Sequence, residues 1–221
     1  MKLPFTIENF FDVFQLYNIS VWPMQVILII IALVVVYFSI NKRVYSNRIV
    51  ASGLSFFWLW MGIVYHMIHF SFINKAAVVF GALFILQSIF FLFFGVIKHQ
   101  LVFHFQANKY GITGIILVAF ALLIYPLLNY QFGHTYPSSP TFGVPCPTTI
   151  FTFGILLLCT TRIPFIILLI PFFWSIVGFS AAFLLGIKED ASLLIAAFLS
   201  IVMIFLKNKS LKEYSANASL A

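Results

Sequence analysis

Charge is what this sequence has least of: 8% of its residues are Asp, Glu, Lys or Arg, against 63% that are hydrophobic. An ordinary soluble domain carries about a quarter charged residues, so the shortage excludes a soluble globular fold. Acids are the scarcer sign, with five in 221 residues. None falls inside a long apolar run, which removes the intramembrane carboxylate that proton- or sodium-coupled transporters usually need. The last apolar run has no lysine for a retinal Schiff base, and it lacks the histidine pair and buried Asp of seven-span intramembrane hydrolases. Cysteine is limited to Cys146 and Cys159, at opposite ends of one run, so an intramolecular disulfide and a paired-cysteine redox motif are both excluded. A basic leader is missing too. The start, MKLPFTIENFFD, has a proline and acids where a signal peptide has its cationic region, so the first apolar run is expected to stay in the mature chain.

What is present is a series of apolar runs of the length that a hydrocarbon core of roughly 30 Å demands of a helix. They predict an all-α fold, a polytopic transmembrane helical bundle of about seven spans: 21–40, 49–70, 76–97, 110–128, 148–161, 163–186 and 191–206. These form one integral membrane domain over 1–206, followed by a cytoplasmic tail over 207–221. Basic residues set the orientation. Lys42, Arg43, Arg48, Lys98, Lys109, Arg162, Lys207, Lys209 and Lys212 fall on one side, against Lys2, Lys75 and Lys188 on the other, where Glu8, Asp12, Glu189 and Asp190 also lie. The positive-inside rule then puts the N-terminus outside and the C-terminus inside. The net charge of +7 is thus spent in short connectors, which argues against nucleic acid as a partner and for the lipid bilayer. A second copy or another membrane protein is the remaining class of partner. His99 and His104, in the connector KHQLVFHFQANK, are expected to be solvated.

Two segments break the pattern. Over 5–18, Ile7, Phe10, Phe11 and Phe14 recur at helical spacing opposite Glu8, Asp12 and Gln15, which predicts an interfacial amphipathic helix. Its acidic polar face makes attraction to anionic lipid an unsuitable role; lying across the outer mouth of the bundle is a suitable one, and a simple anchor leading into the first span is the plainer alternative. From Gly133 to Phe153 the chain reads GHTYPSSPTFGVPCPTTIFTF, with four of the nine prolines, so its backbone must turn. The span after it is short: 148–161 reaches only roughly 21 Å at 1.5 Å per residue. The outer segment 131–147 is therefore expected to dip into the bundle and bring Cys146 below the surface.

Candidate ligands gather at that depth. His66 and His69 are three apart on one helix and so lie on neighbouring faces. Cys146 followed by Pro147 reads as a helix N-cap and first residue, where the helix dipole and free N–H groups favour a thiolate. His134 starts the same segment. Cys146, His66, His134 and His69 together would suit Zn, or Cu in its reduced state. The plainer alternative is a packed turn with hydrogen-bonded histidines, and a third is an organic ligand.

The stretches WLWMGIVYH, GALFILQ and GHTYPSSPTFGVPCPTTIFTFG resemble an uncharacterised bacterial family of small polytopic integral membrane proteins, a domain of unknown function. The resemblance covers nearly the whole chain, from LPFT to AAFLLGIKED. It implies a multi-pass protein of the bacterial inner membrane and no particular chemistry. It includes His66, His134 and Cys146, but not His69. The leading expectation is a protein that binds or moves a soft or borderline metal ion through an outer-facing Cys/His site. The alternatives are a small membrane enzyme or carrier for an apolar ligand such as a lipid or quinone, with Cys146 reactive and His66 as its base, and a structural subunit without a site.

Overall fold

The computed structural model describes residues 4–187 and 190–218. Lys2, Lys188 and Glu189, counted above among the outer charges, lie outside them. The described chain is helical: α1 (Ile7–Ser20), α2 (Met24–Ile40), α3 (Ser46–Phe72), α4 (Ala77–Ile97), α5 (Lys109–Gln131), α6 (Pro145–Leu157), α7 (Ile166–Leu185) and α8 (Ala191–Ala218). Five of these, α3, α4, α5, α7 and α8, are long and apolar enough to cross a membrane, and α1 with α2 makes a sixth if a pair bent by 84° counts as one span. Their outward faces carry large exposed apolar side chains, among them Leu33, Ile116, Leu123, Phe183 and Phe205.

The odd helix is α6. At 1.5 Å per residue its 13 residues cover roughly 20 Å. Every one of them is buried, so α6 is the core rather than a member of the lipid-facing ring. Small residues let the neighbours close in. A Cβ on Gly154 of α6 would sit 2.8 Å from the Gly114 carbonyl of α5, and one on Gly114 would sit 2.7 Å from that of Gly154. The α3–α4 crossing is built the same way at Gly62 and Gly81, where backbones approach as apolar helices without side chains between them can. Trp58 of α3 then donates its Nε1–H to Thr152 Oγ1 of α6 at 3.1 Å.

Backbone groups freed by proline are matched from neighbouring helices. Pro171 inside α7 has no N–H, so the carbonyl of Ile167, one turn earlier, loses its helical donor. Gln87 of α4, the polar residue inside an otherwise apolar run, donates its Nε2–H to that carbonyl at 3.0 Å.

At the C-terminal end of α6 the chain departs from the simple connector expected over 98–109. His99 and His104 are exposed, but Leu101 and Phe103 between them are fully buried. Phe103 pairs with Cys159 as an isolated antiparallel bridge, the His104 N–H bonds the Leu158 carbonyl at 3.1 Å, and the Thr160 N–H bonds that of Val102 at 2.7 Å. Lys207, the first residue of the expected tail, is buried as well. It is 7% exposed, and its Nζ donates to the carbonyls of Leu157 at 3.1 Å and Cys159 at 2.6 Å. It acts as a cation on the negative end of a helix dipole rather than as a solvated charge in a tail.

Candidate functional site: an aromatic cavity at the Cys146 end

The other end of α6 is reached through the Pro-rich segment. Asn18 of α1 organises it: its Nδ2 donates to the carbonyls of Pro137 at 2.7 Å and Ser139 at 2.8 Å, while its Oδ1 accepts from Thr141 Oγ1 at 2.8 Å. Asn129 of α5 donates to the Pro140 carbonyl at 2.9 Å. Gly143 has φ +106°, a conformation open to glycine, and a Cβ there would also meet Leu28 at 2.4 Å. These ties hold Phe142, Val144 and Cys146 in the protein interior. The N-cap is Val144, and Pro145, not Cys146, opens the helix. This corrects the expected thiol capping position. Pro145 and Pro147 have no N–H, and the N–H of Val144 is bonded to the Thr141 carbonyl at 3.2 Å, so most of the donors of an ordinary first turn are missing or already used.

Above this helix start lies a cavity of ≈ 330 Å³. Its walls are aromatic: Phe5, Phe10 and Phe14 come from α1 and the residue before its cap, Tyr65 and Phe70 from α3, Phe80 from α4 and Trp174 from α7. The α1 rings pack edge-on to Phe70, with Phe5 and Phe10 at 5.6 and 6.0 Å between centroids. Polar groups at the wall are few and include Cys146, Asn74, Ser180 and Asp190. The volume falls within the range of small-molecule pockets, which combine apolar walls with a few placed polar groups.

The four residues proposed as ligands are not brought together. His66 is fully buried among the rings of Phe84 at 4.6 Å, Trp174 at 4.9 Å, Phe70 at 6.0 Å and Phe80 at 6.0 Å, and neither of its ring nitrogens has a hydrogen-bond partner. His69 is tied elsewhere: its Nδ1 bonds the Val64 carbonyl at 2.7 Å and its Nε2 lies 2.8 Å from Ser20 Oγ, which fixes the end of α1 to α3. His134 lies against the Phe11 ring at 4.5 Å. Cys146 is 8% exposed and faces the cavity. Among the described residues no three His, Cys, Asp or Glu side chains are placed to hold one metal ion. The pairing of His66 with Cys146 as base and nucleophile is absent as well, because the imidazole nitrogens are unpartnered.

Asp190 is a cavity residue that sequence reasoning missed. Expected in an outer turn, it is 3% exposed, accepts a hydrogen bond from the Tyr125 hydroxyl of α5 and lines the cavity. Its signal was the position immediately before ASLL, where an acid reads as the cap of the following helix. Trp174 carries a second unassigned group, a buried Nε1–H with no hydrogen-bond partner, on a ring that forms part of the cavity wall.

This is an all-helical protein with several helices of membrane-crossing length and an aromatic cavity at one end of a short central helix. It belongs to the family described as Family of unknown function (DUF6064), whose model matches residues 7–215. No curated protein and no solved structure matches the chain.

Proposed function

We propose that this is a multi-pass membrane protein that binds an apolar ligand carrying one hydrogen-bonding head group, a lipid- or quinone-like molecule, in the cavity between α1, α3 and α7. The observation that carries this reading is the cavity itself: ≈ 330 Å³, walled by seven aromatic residues, with Cys146 and Asp190 among its few polar groups. An apolar molecule gains by leaving water or displacing lipid there, and Asp190 or the free Trp174 N–H would orient its head group. The dispersed placement of Cys146, His66, His134 and His69 weighs against the metal reading, and the unpartnered His66 imidazole weighs against a reactive Cys146.

The finer topology belongs to the same proposal. Counting α2 to α8 gives seven passes, with the N-terminus and the cavity outside and the Lys207 end inside, in a bacterial inner membrane. The distribution of lysine and arginine supports this orientation. A reporter fused after Ala221 is expected inside the cell, and finding it outside would reverse the orientation.

The test of the ligand is solvent extraction and mass spectrometry of detergent-purified protein beside Ala181→Trp, which fills the cavity from α7. An apolar molecule enriched near 1:1 in the wild type and depleted in the variant supports the proposal. No enrichment over the detergent control overturns it. Near-stoichiometric Zn or Cu that disappears in both Cys146→Ser and His66→Ala would replace it with a metal function.

A further inference from the structure

The opposite end of the molecule has a groove of ≈ 1070 Å³ between the start of α7, the end of α8 and the 98–104 segment. Its walls carry Arg162, Lys209, Lys212 and His99, and no Asp or Glu among the described residues. Beside the basic side chains stand Phe165, Phe205 and Leu211. The groove is built from tied backbone. Asn208 bonds both backbone groups of Ile163, accepting from its N–H at 3.0 Å and donating to its carbonyl at 2.9 Å, which joins α8 to the entry of α7. Thr161 Oγ1 donates to the Gln100 carbonyl at 2.6 Å and closes the third side. The 20-residue α7 begins at this groove, with the N–H groups of Ile167 and Leu168 in its first turn bonded to the carbonyls of Pro164 at 3.1 Å and Phe165 at 2.9 Å.

We propose that this groove holds the phosphate head group of an anionic membrane phospholipid, with its acyl chains running down the apolar faces that begin at Phe165 and Phe205. The Arg162 and Lys209 cations, with no acid among the described wall residues, select an anion, and aromatic and leucine side chains next to them select one with a hydrocarbon tail. Basic pockets between helix ends recognise such head groups in this way. The inference rests on the membrane reading given above but not on the occupant of the aromatic cavity, from which it is separated by the length of α6.

The experiment measures thermal stability and lipid retention of the detergent-purified protein with added phosphatidylglycerol, phosphatidylcholine or inorganic phosphate, beside the double variant Arg162→Gln/Lys209→Gln. Phosphatidylglycerol is expected to raise the melting temperature above phosphatidylcholine and to be the lipid retained. With two basic contacts removed, its apparent affinity should fall about thirtyfold. Equal effects of the two lipids on the wild type overturn the proposal, as does a double variant that keeps the preference. Inorganic phosphate reproducing the whole effect overturns the lipid assignment. The wild-type comparison decides the matter even where the double variant does not fold. Extracting the cavity ligand from the same samples separates this result from the other reading, since Ala181→Trp should leave the phosphatidylglycerol preference intact.

Discussion

The two ends of α6 present the same structural problem with opposite chemistry. A short helix buried along its whole length exposes N–H groups at one end and carbonyls at the other, and neither end reaches bulk water. At the Cys146 end the donors are largely absent from the covalent structure: prolines at 145 and 147 have no N–H, and Val144 turns back to Thr141. At the Lys207 end no residue type can delete a carbonyl, so donors must be imported. The His104 N–H and the Lys207 ammonium arrive from distant parts of the chain. The consequence is spatial. An end whose polar groups have been removed can be surrounded by aromatic rings, whereas an end whose polar groups must be met is tied to donors from elsewhere in the chain and bordered by basic side chains.

The comparison can be broken most forcefully at Lys207. Replacing it with Met leaves the Leu157 and Cys159 carbonyls short of a donor, and at about 1.5–3 kcal/mol for each charge-assisted bond the loss is about 3–6 kcal/mol. Thermal melts in detergent should show a fall of about 10 °C or more, or no folded protein. Lys207→Arg should recover part of the loss, and a variant as stable as the wild type would remove the importance given to that end. Next in size is Gly154→Leu. A Cβ 2.8 Å from a backbone oxygen has no flexible neighbour to displace, so a cost near the upper part of the overpacking range, about 3 kcal/mol, is expected in the same melts.

At the Cys146 end the effects should be smaller because neutral groups are involved. Asn18→Ala removes three neutral hydrogen bonds to the Pro-rich segment and should cost about 1.5–4.5 kcal/mol. It should also raise proteolysis within 131–144, which a merely local defect in α1 would not do. The finest test is Pro147→Ala. It adds a buried N–H to the first turn, and with no side-chain cap to receive it about 1 kcal/mol is expected, despite the better helix propensity of alanine. Stabilisation by this change would mean that the prolines do not act by removing donors.

Much of this architecture is legible in the sequence, because apolar run length is a local property. Five runs emerge as helices of membrane-crossing length, and the prolines of PCPTT mark the start of the short helix. What was not legible depends on partners remote in sequence. Lys207 and Asp190 each sit at the edge of a connector, where sign assigns a side of the bundle and says nothing of burial. Lys207 is buried by carbonyls 50 and 48 residues away, and Asp190 by a tyrosine 65 residues away. The histidines failed differently. His66 and His69 are neighbours by helical spacing, yet Met61–His69 forms wide π-helical turns, and the two rings end in separate surroundings, one among aromatic side chains and one on the backbone of its own helix and the end of α1. Spacing rules for regular helices do not carry through such a stretch.

The bond from Gln87 to Ile167 has an evolutionary corollary. The amide is useful because a proline stands four positions further on, and the proline is tolerable because the amide is there. A chain with alanine at 171 closes its own helical ring at Ile167 and leaves Gln87 as a solitary polar group in a dry interface. Positions 87 and 171 are therefore heritable as a pair: relatives that lose the proline should replace the glutamine with an apolar residue, and either change made alone should be the rarer state.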